Sequence, residues 1–160
     1  MTRNHFTLLT LSVVALLLAG GPMAAGQESS KEKDAVPTAL EERVSQFLEG
    51  VSLDQAQSAF QELLAGSQLL KQTDAVKDLV ARTNALETKY GKYRAFEQVS
   101  AKRVGSDLVL MRYLYKCENF PVVWYFTFYH APSSGESSAK NGAWRVVAVR
   151  FDANLEALQQ

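Results

Sequence analysis

Three short runs rich in Val, Leu, Phe, Tyr and Trp decide the fold of this chain. They read Ser106-Asp-Leu-Val-Leu-Met-Arg-Tyr-Leu-Tyr-Lys-Cys117, Phe120-Pro-Val-Val-Trp-Tyr-Phe-Thr-Phe-Tyr-His130 and Ala143-Trp-Arg-Val-Val-Ala-Val-Arg-Phe151. β-Branched and aromatic residues fit the pleated, half-buried surface of a sheet, and breaks rich in Gly, Pro, Asn and Ser separate the runs. The pattern therefore predicts three antiparallel strands of one curved sheet.

A fourth strand and three helices are predicted ahead of these runs. Tyr93–Lys102 is more polar, as an edge strand usually is. Further upstream, apolar residues recur at helical spacing in three segments that end at Gly or Tyr. The first segment begins in a capping box at Thr38, the second begins in another box at Ser52, and the third spans about Thr73–Tyr90. The sequence thus predicts an α+β fold, with three N-terminal helices packed on a curved, about four-stranded antiparallel sheet.

The amino-terminal region has the organisation of an export signal. Residues 7–19 form an apolar run of 13 residues, which is the length of a signal-peptide core, and small residues follow up to Gly26. We therefore predict a signal peptide over residues 1–26, a flexible linker over 27–36, one domain over 37–155 and a tail over 156–160. Export to the periplasm or the cell exterior follows, without stable membrane insertion after cleavage; an uncleaved membrane anchor is the alternative.

Charge is balanced overall but unevenly distributed. The chain of 160 residues has 17 basic and 17 acidic side chains, so no net positive field favours nucleic acid as a partner. Residues 27–91 carry 7 basic and 11 acidic side chains, whereas residues 92–150 carry 9 basic and 4 acidic ones. The predicted helices are therefore acidic and the predicted sheet is basic, which favours attraction between the two layers.

Residues typical of catalysis or metal binding are scarce. After residue 26 the chain has one histidine, His130, and one cysteine, Cys117, with no paired ligand spacing. A nucleophile elbow and a phosphate-binding glycine loop are both missing. The sequence therefore predicts no catalytic residue, no metal site and no cofactor.

Several phrases of the second half resemble a known fold family. They are Gly91-Lys-Tyr-Arg-Ala-Phe-Glu97, Lys102-Arg-Val-Gly105, Val122-Val-Trp-Tyr-Phe-Thr-Phe-Tyr129, Trp144-Arg-Val-Val147 and Arg150-Phe-Asp-Ala-Asn-Leu155. They are similar to small exported bacterial domains of unknown function that look like members of the nuclear transport factor 2-like superfamily. The resemblance covers roughly residues 38–155 and implies a cone of helices wrapped by a curved sheet, with a pocket between them. It implies no particular activity, because that superfamily includes enzymes, binding modules and dimerisation domains.

Strict alternation along the strands divides the candidate site residues between two faces, and the sequence leaves open which face is inward. Alternation also places Ala148 and Arg150 on the face of Trp144. For Arg112, an internal carboxylate partner and an anion-accepting pocket are both open. The pocket hypothesis takes as candidate ligand-binding residues Arg112, Trp124, Phe126, His130, Trp144 and Arg150. Because both faces are apolar, the sheet is also expected to form a homodimer, with interface candidates Tyr113, Tyr125 and Tyr129.

These observations favour an exported, non-enzymatic domain that binds a small anionic or apolar ligand, or another protein, in or near a cone-shaped pocket. One alternative is a small-molecule enzyme of the isomerase or dehydratase type that works in the cone cavity. Such an enzyme needs an acid–base pair with displaced pKa values, and the strands offer mainly arginines, tyrosines and one histidine. The other alternative is a purely structural dimerisation module.

We expect a secreting host to remove the first 26 residues or so, because the apolar core and the small residues after it suit a signal peptidase. The intact mass of protein recovered outside the cytoplasm measures this directly. Recovery of the chain with residues 1–26 still attached would contradict the prediction.

Overall fold

The computed structural model describes residues 35–131 and 143–159. The predicted signal peptide, most of the predicted linker and the polar loop expected between the last two strands lie outside the described residues.

Helices precede the sheet, as expected, but they are more numerous than predicted. They are α1 (Thr38–Ser52), α2 (Ala56–Leu63), the 3₁₀ helix η1 (Gln68–Lys71), α3 (Thr73–Asn84) and α4 (Leu86–Tyr90). The remaining elements are β1 (Tyr93–Val104), β2 (Leu108–Cys117), β3 (Val122–Ala131), β4 (Ala143–Asp152) and the 3₁₀ helix η2 (Leu155–Gln159). The strands form one antiparallel sheet in the order β1-β2-β3-β4, which confirms the α+β class. The expectation of three helices that are all N-terminal is wrong, because η2 follows the sheet.

The predicted helix boundaries need two corrections. The helix expected over 73–90 divides at Ala85, next to Thr83, whose hydroxyl donates a hydrogen bond of 2.7 Å to the carbonyl of Leu79. Bonds of this type bend helices. Neither predicted capping box forms: the cap of α1 is Pro37, and Ser52 is the last residue of α1, where its hydroxyl donates to the carbonyl of Glu49.

One face of the sheet is buried against the helices. Phe47 of α1 is at the centre of this contact, with its ring centre 4.8 Å from that of Phe60, 5.2 Å from that of Trp124 and 5.7 Å from that of Phe126. All three contacts are close to edge-to-face, the arrangement that aromatic rings prefer. The sheet residues buried on this side include Val109, Met111, Tyr113, Tyr115, Val122, Trp124, Phe126, Phe128 and Val146. We call this side the helix-facing side and the opposite one the outer face.

A β-bulge in β4 changes the faces expected from strict alternation. Val146 pairs with Phe128 and Ala148 pairs with Thr127, so Val147 is the extra residue. A bulge of this kind shifts the alternation of all later residues by one. After it, Val149 and Phe151 lie on the helix-facing side, where they pack with the core. The prediction that Ala148 and Arg150 share the face of Trp144 is therefore wrong.

The helix layer holds the first half of β4 through backbone carbonyl groups. The Arg43 guanidinium donates to the carbonyl of Trp144 at 3.3 Å and to that of Leu63 at 2.5 Å. The Ser67 hydroxyl donates to the carbonyl of Val146 at 2.5 Å, and Ser67 is itself buried. Both strand carbonyls belong to the free edge of β4, which has no strand neighbour beyond it. Side chains of the helix layer thus satisfy these two edge carbonyls ahead of the bulge.

Candidate functional site

An apolar groove runs along the free edge of β4, between this strand and the helices η1 and α3. It consists of two adjoining cavities of about 270 and 380 Å³ that share Leu69, Gln72 and Val147. In the cavity of about 270 Å³, the helix side is formed by Leu69, Gln72, Ala75, Val76 and Leu79, and the strand side by Val147, Val149 and Arg150. We call this surface the edge groove.

The groove lies between α3 and β4, along Ala75, Val76 and Leu79. The Arg82 guanidinium lies 5.0 Å from the centre of the Phe151 ring, where the second half of α3 meets the end of β4. Along α3, Val76 and Leu79 pack against the core and remain partly exposed, while Ala75 is exposed. An amphipathic helix normally buries such a stripe completely. Here the stripe forms one wall of an open groove.

The orientation of the β4 backbone at the groove follows from its pairing with β3. The partners of Trp124, Phe126, Phe128 and His130 on β4 are Phe151, Val149, Val146 and Trp144. Alternate residues of an antiparallel strand direct their N–H and C=O groups to the same edge. Since the carbonyls of Trp144 and Val146 point to the free edge, the backbone groups of Val149 and Phe151 point there as well.

Positive charge borders the apolar lining. Arg145 and Arg150 are the charged residues that line the two cavities. The Arg150 guanidinium lies 3.7 Å from the centre of the Tyr125 ring, and one of its nitrogens donates to the Asp152 carboxylate at 2.5 Å. An arginine side chain keeps its charge in proteins and cannot exchange a proton with a substrate. The groove is therefore suited to binding an apolar group that carries a negative charge.

Two of the predicted ligand-binding residues are in the core. Trp124 and Phe126 are 0% and 1% exposed, with rings stacked at 6.0 Å between centres, and Phe47 packs on both. Neither aromatic residue lines any of the five cavities found among the described residues. The expected wall of a cone-shaped pocket is thus filled by side chains.

Two further candidates meet at one end of the helix-facing side. The His130 and Trp144 rings have centres 5.0 Å apart, and the Arg103 guanidinium lies 5.8 Å from the Trp144 ring. The imidazole Nδ1 of His130 is 4.0 Å from the carboxylate of Asp107, which is a turn residue. None of these residues lines the edge groove.

The remaining candidates are on the outer face, apart from one. Arg112 pairs with Tyr125, and its guanidinium lies 5.9 Å from the Tyr125 ring, so Tyr125 contacts arginines from two neighbouring strands. Tyr129 lies on the same face and is 40% exposed. Tyr113 is 2% exposed on the helix-facing side, so it is a core residue and not an interface candidate. The sheet therefore separates Arg112 and Arg150 from Trp124, Phe126, His130 and Trp144.

A separate, much smaller cavity is lined by a thiol, carboxylates and two phenol groups. It has a volume of about 20 Å³, enough for about one water molecule, and is lined by Tyr93, Tyr115, Cys117 and Glu87 among others. Burial raises the pKa of the Tyr115 hydroxyl and of the Cys117 thiol, and the nearby Glu87 carboxylate adds to the rise at Cys117. Both groups therefore stay protonated at neutral pH. A protonated thiol is a weak nucleophile, which fits Cys117 as a packed core residue.

The edge groove was not predicted from the sequence. Helical periodicity assigns the apolar residues of the third predicted helix to the core, and strict alternation places Ala148 and Arg150, rather than Val149, on the face of Trp144. One signal was available: the run Val146-Val-Ala-Val149 between Arg145 and Arg150 is apolar throughout and interrupts the alternation of the strand. A bulge within such a run is compatible with the pattern, although the run does not specify its position.

Comparison with known proteins identifies no relative: no protein-family model, no curated protein and no solved structure matches the chain. Within the described ranges, no group of three or more His, Cys, Asp and Glu side chains could hold a metal ion. Among the described helices, none combines the length and the apolar composition needed to cross a membrane.

We expect alkaline pH to destabilise the protein through Tyr113. Burial, followed by the nearby Glu41 carboxylate, raises the pKa of Tyr113 to about 12 from its ordinary value of 10.0. Folding thus favours the neutral phenol, so its contribution to stability is complete below pH 10 and is lost as the pH rises toward 12. Urea unfolding at a series of pH values should show this decline, and Tyr113→Phe should make it shallower.

Tyr129→Phe is the matched control, because this ring is exposed on the outer face. It should leave the slope of unfolding free energy against pH unchanged. An identical decline in wild type and Tyr113→Phe would contradict the assignment.

Proposed function

We propose that this protein is a non-enzymatic binding domain whose binding site is the edge groove. The observation that carries the proposal is the open apolar lining contributed by η1, α3 and β4, bordered by Arg145 and Arg150. Ligand sites are typically concave, mostly apolar and supplied with a few placed polar groups, with volumes of about 300–1,000 Å³. The ligand class that fits is an apolar chain with an anionic end.

The lining supports binding over catalysis. A general acid or base must exchange a proton near the pH at which the enzyme works. The titratable groups that line the two cavities are Arg145, Arg150 and the hydroxyl of Tyr129. An isomerase or dehydratase function would need an additional acid–base pair facing the groove, so the lining favours the binding alternative.

Export and a finer fold assignment belong to the same proposal. The apolar run over residues 7–19 supports export. Helices ahead of an antiparallel meander, packed on one of its faces, support a relationship to the nuclear transport factor 2-like superfamily. In this assignment the binding site has moved from the cone interior to the sheet edge, because aromatic side chains occupy the interior.

Sodium decanoate tests the proposed groove, because it combines an alkyl chain with a carboxylate. We expect it to shift the NMR signals of the Leu69, Val76, Leu79 and Val149 methyl groups selectively. Ala75→Glu places a carboxylate in the groove and should weaken binding about tenfold, since burying or facing an unpaired charge is costly. Calorimetric titration measures the change in Kd.

Ala81→Glu is the matched control, since Ala81 is an exposed residue of the same helix and does not line the groove. It should bind decanoate as the wild type does, and decyltrimethylammonium should bind more weakly than decanoate because of the two arginines. No saturable binding of decanoate, or equal binding by both variants, would refute the proposed site.

Self-association through the outer face is the second candidate function. Val104 pairs with Leu108, and Leu108 pairs with Tyr129, so these side chains form a continuous row at one end of that face. Val104 and Tyr129 are 42% and 40% exposed, and the neighbouring Leu110 is 38% exposed. Contiguous exposed apolar groups of this kind mark interaction surfaces. We call this row, with Leu110, the outer patch.

We expect Leu110→Glu to convert a dimer to a monomer, because the new carboxylate would lie within the buried contact. Sedimentation velocity over a concentration series measures the effect. Ala95→Glu lies at the other end of the outer face and should leave the association unchanged. A wild-type monomer at the highest concentration would exclude this second function and leave the groove proposal unaffected.

A further inference from the structure

We propose that the ligand of the edge groove is an extended peptide segment that adds to β4 as a fifth strand, over residues 148–152. The segment carries alternating aliphatic and acidic side chains. This inference rests on the proposed function of the groove and names the chemical class of its ligand. Three features of the described structure support it: the backbone groups at the edge, the limits of the open edge and the side chains on each face of it.

Backbone donors and acceptors of β4 face the groove. The N–H and C=O groups of Val149 and Phe151 point to the free edge of β4, as the pairing with β3 requires. Within residues 35–131 and 143–159, no group outside the sheet forms a hydrogen bond with these backbone atoms. A row of such groups is a template for another strand, and addition of an extended peptide to a sheet edge is a common mode of recognition.

The open part of the edge is short and clearly bounded. On one side, Arg43 and Ser67 already occupy the carbonyls of Trp144 and Val146, and the bulge at Val147 interrupts regular pairing. On the other side, β4 ends at Asp152. A segment of about four or five residues therefore matches the open length, at a rise of roughly 3.3 Å per residue.

The side chains around the edge select the alternating pattern. Successive residues of an added strand point to opposite faces of the sheet. A residue opposite Val149 directs its side chain into the groove, against Leu69, Val76 and Leu79, so an aliphatic side chain fits there. A residue opposite Arg150 lies on the outer face, where its carboxylate would share the guanidinium with Asp152, which accepts a hydrogen bond from one of the guanidinium nitrogens. Opposite charges in cross-strand pairs are stabilising, so an acidic side chain fits there.

The other free edge of the sheet differs in these respects. The strand β1 has two register irregularities along its pairing with β2, and it carries charged residues such as Arg94, Glu97 and Lys102. Bulges and charges of this kind discourage strand addition. Moreover, the cavities that flank a strand edge with an apolar wall are those along β4. The structure therefore favours β4 as the acceptor edge.

The probe is a capped eight-residue peptide of alternating valine and glutamate, titrated into the whole purified protein. We expect saturable binding by calorimetry and slower hydrogen exchange of the Val149 and Phe151 amide protons in the complex. A peptide with lysine in place of glutamate, and one with N-methyl groups on the backbone nitrogens that face β4, should each bind about tenfold more weakly or worse. Ala75→Glu should weaken binding to a similar extent, and Ala81→Glu should not.

Each outcome decides the inference. Decanoate binding without peptide binding would overturn it and leave the proposed function in place, whereas failure of both ligands would refute both. Equal affinity for the N-methylated peptide, or unchanged exchange at Val149 and Phe151, would exclude strand addition. Protection of the same two amides that rises with protein concentration, without peptide, would assign the edge to a second copy of the chain and likewise overturn the inference.

Discussion

The packing of Phe47 of α1 on the centre of the sheet constrains the rest of this molecule. This ring contacts Phe60, Trp124 and Phe126 at once, and each of these side chains is fully buried or nearly so. Interiors packed in this way leave little unfilled space between helices and sheet. A ligand therefore has no room beneath the middle of the sheet, and the larger cavities of the described structure lie at its margins. The proposed site lies at the margin of the sheet because side chains fill the space under its centre.

The free edge of β4 has two parts, which differ in whether their backbone groups form hydrogen bonds with the helix layer. Before the bulge, Arg43 and Ser67 reach from the helix layer and satisfy strand carbonyls. After the bulge, a cavity lined by Val76, Leu79 and Val149 lies between α3 and the strand, and the Arg82 guanidinium lies 5.0 Å from the Phe151 ring centre where the strand ends. Buried backbone groups almost always have partners, so an edge without internal ones must face water or a ligand. The outward orientation of the β4 backbone thus explains both the hydrogen bonds from Arg43 and Ser67 and the unpaired strand edge beside the edge groove.

The charged side chains form ion pairs mainly with near neighbours. The ion pairs of the described residues link neighbours within one layer: Lys116 with Glu97, Arg150 with Asp152, and Lys77 with Asp74. Contacts between the layers instead involve arginines with carbonyl groups or aromatic rings, as at Arg43 and Arg82. Exposed ion pairs contribute little to stability, whereas an arginine can pack its flat guanidinium against a ring and still bind a carboxylate. Arg150, which lies on the Tyr125 ring at the rim of the groove, is placed to do both.

The sequence by itself determined the α+β class, the antiparallel strands and the apolar stripes of the helices, because these depend on periodicity and residue type within short segments. It also identified Trp124, Phe126 and Trp144 as candidate ligand-binding residues, but it could not show that Trp124 and Phe126 fill the hydrophobic core. Only the tertiary structure decided which face is inward, since both faces of the strands are apolar. It also decided the bulge at Val147, which exchanged the faces of Val149 and Arg150. The edge groove is formed by side chains that are distant in the chain, from Leu69 to Arg150. Packing of the helices against the sheet brings them together.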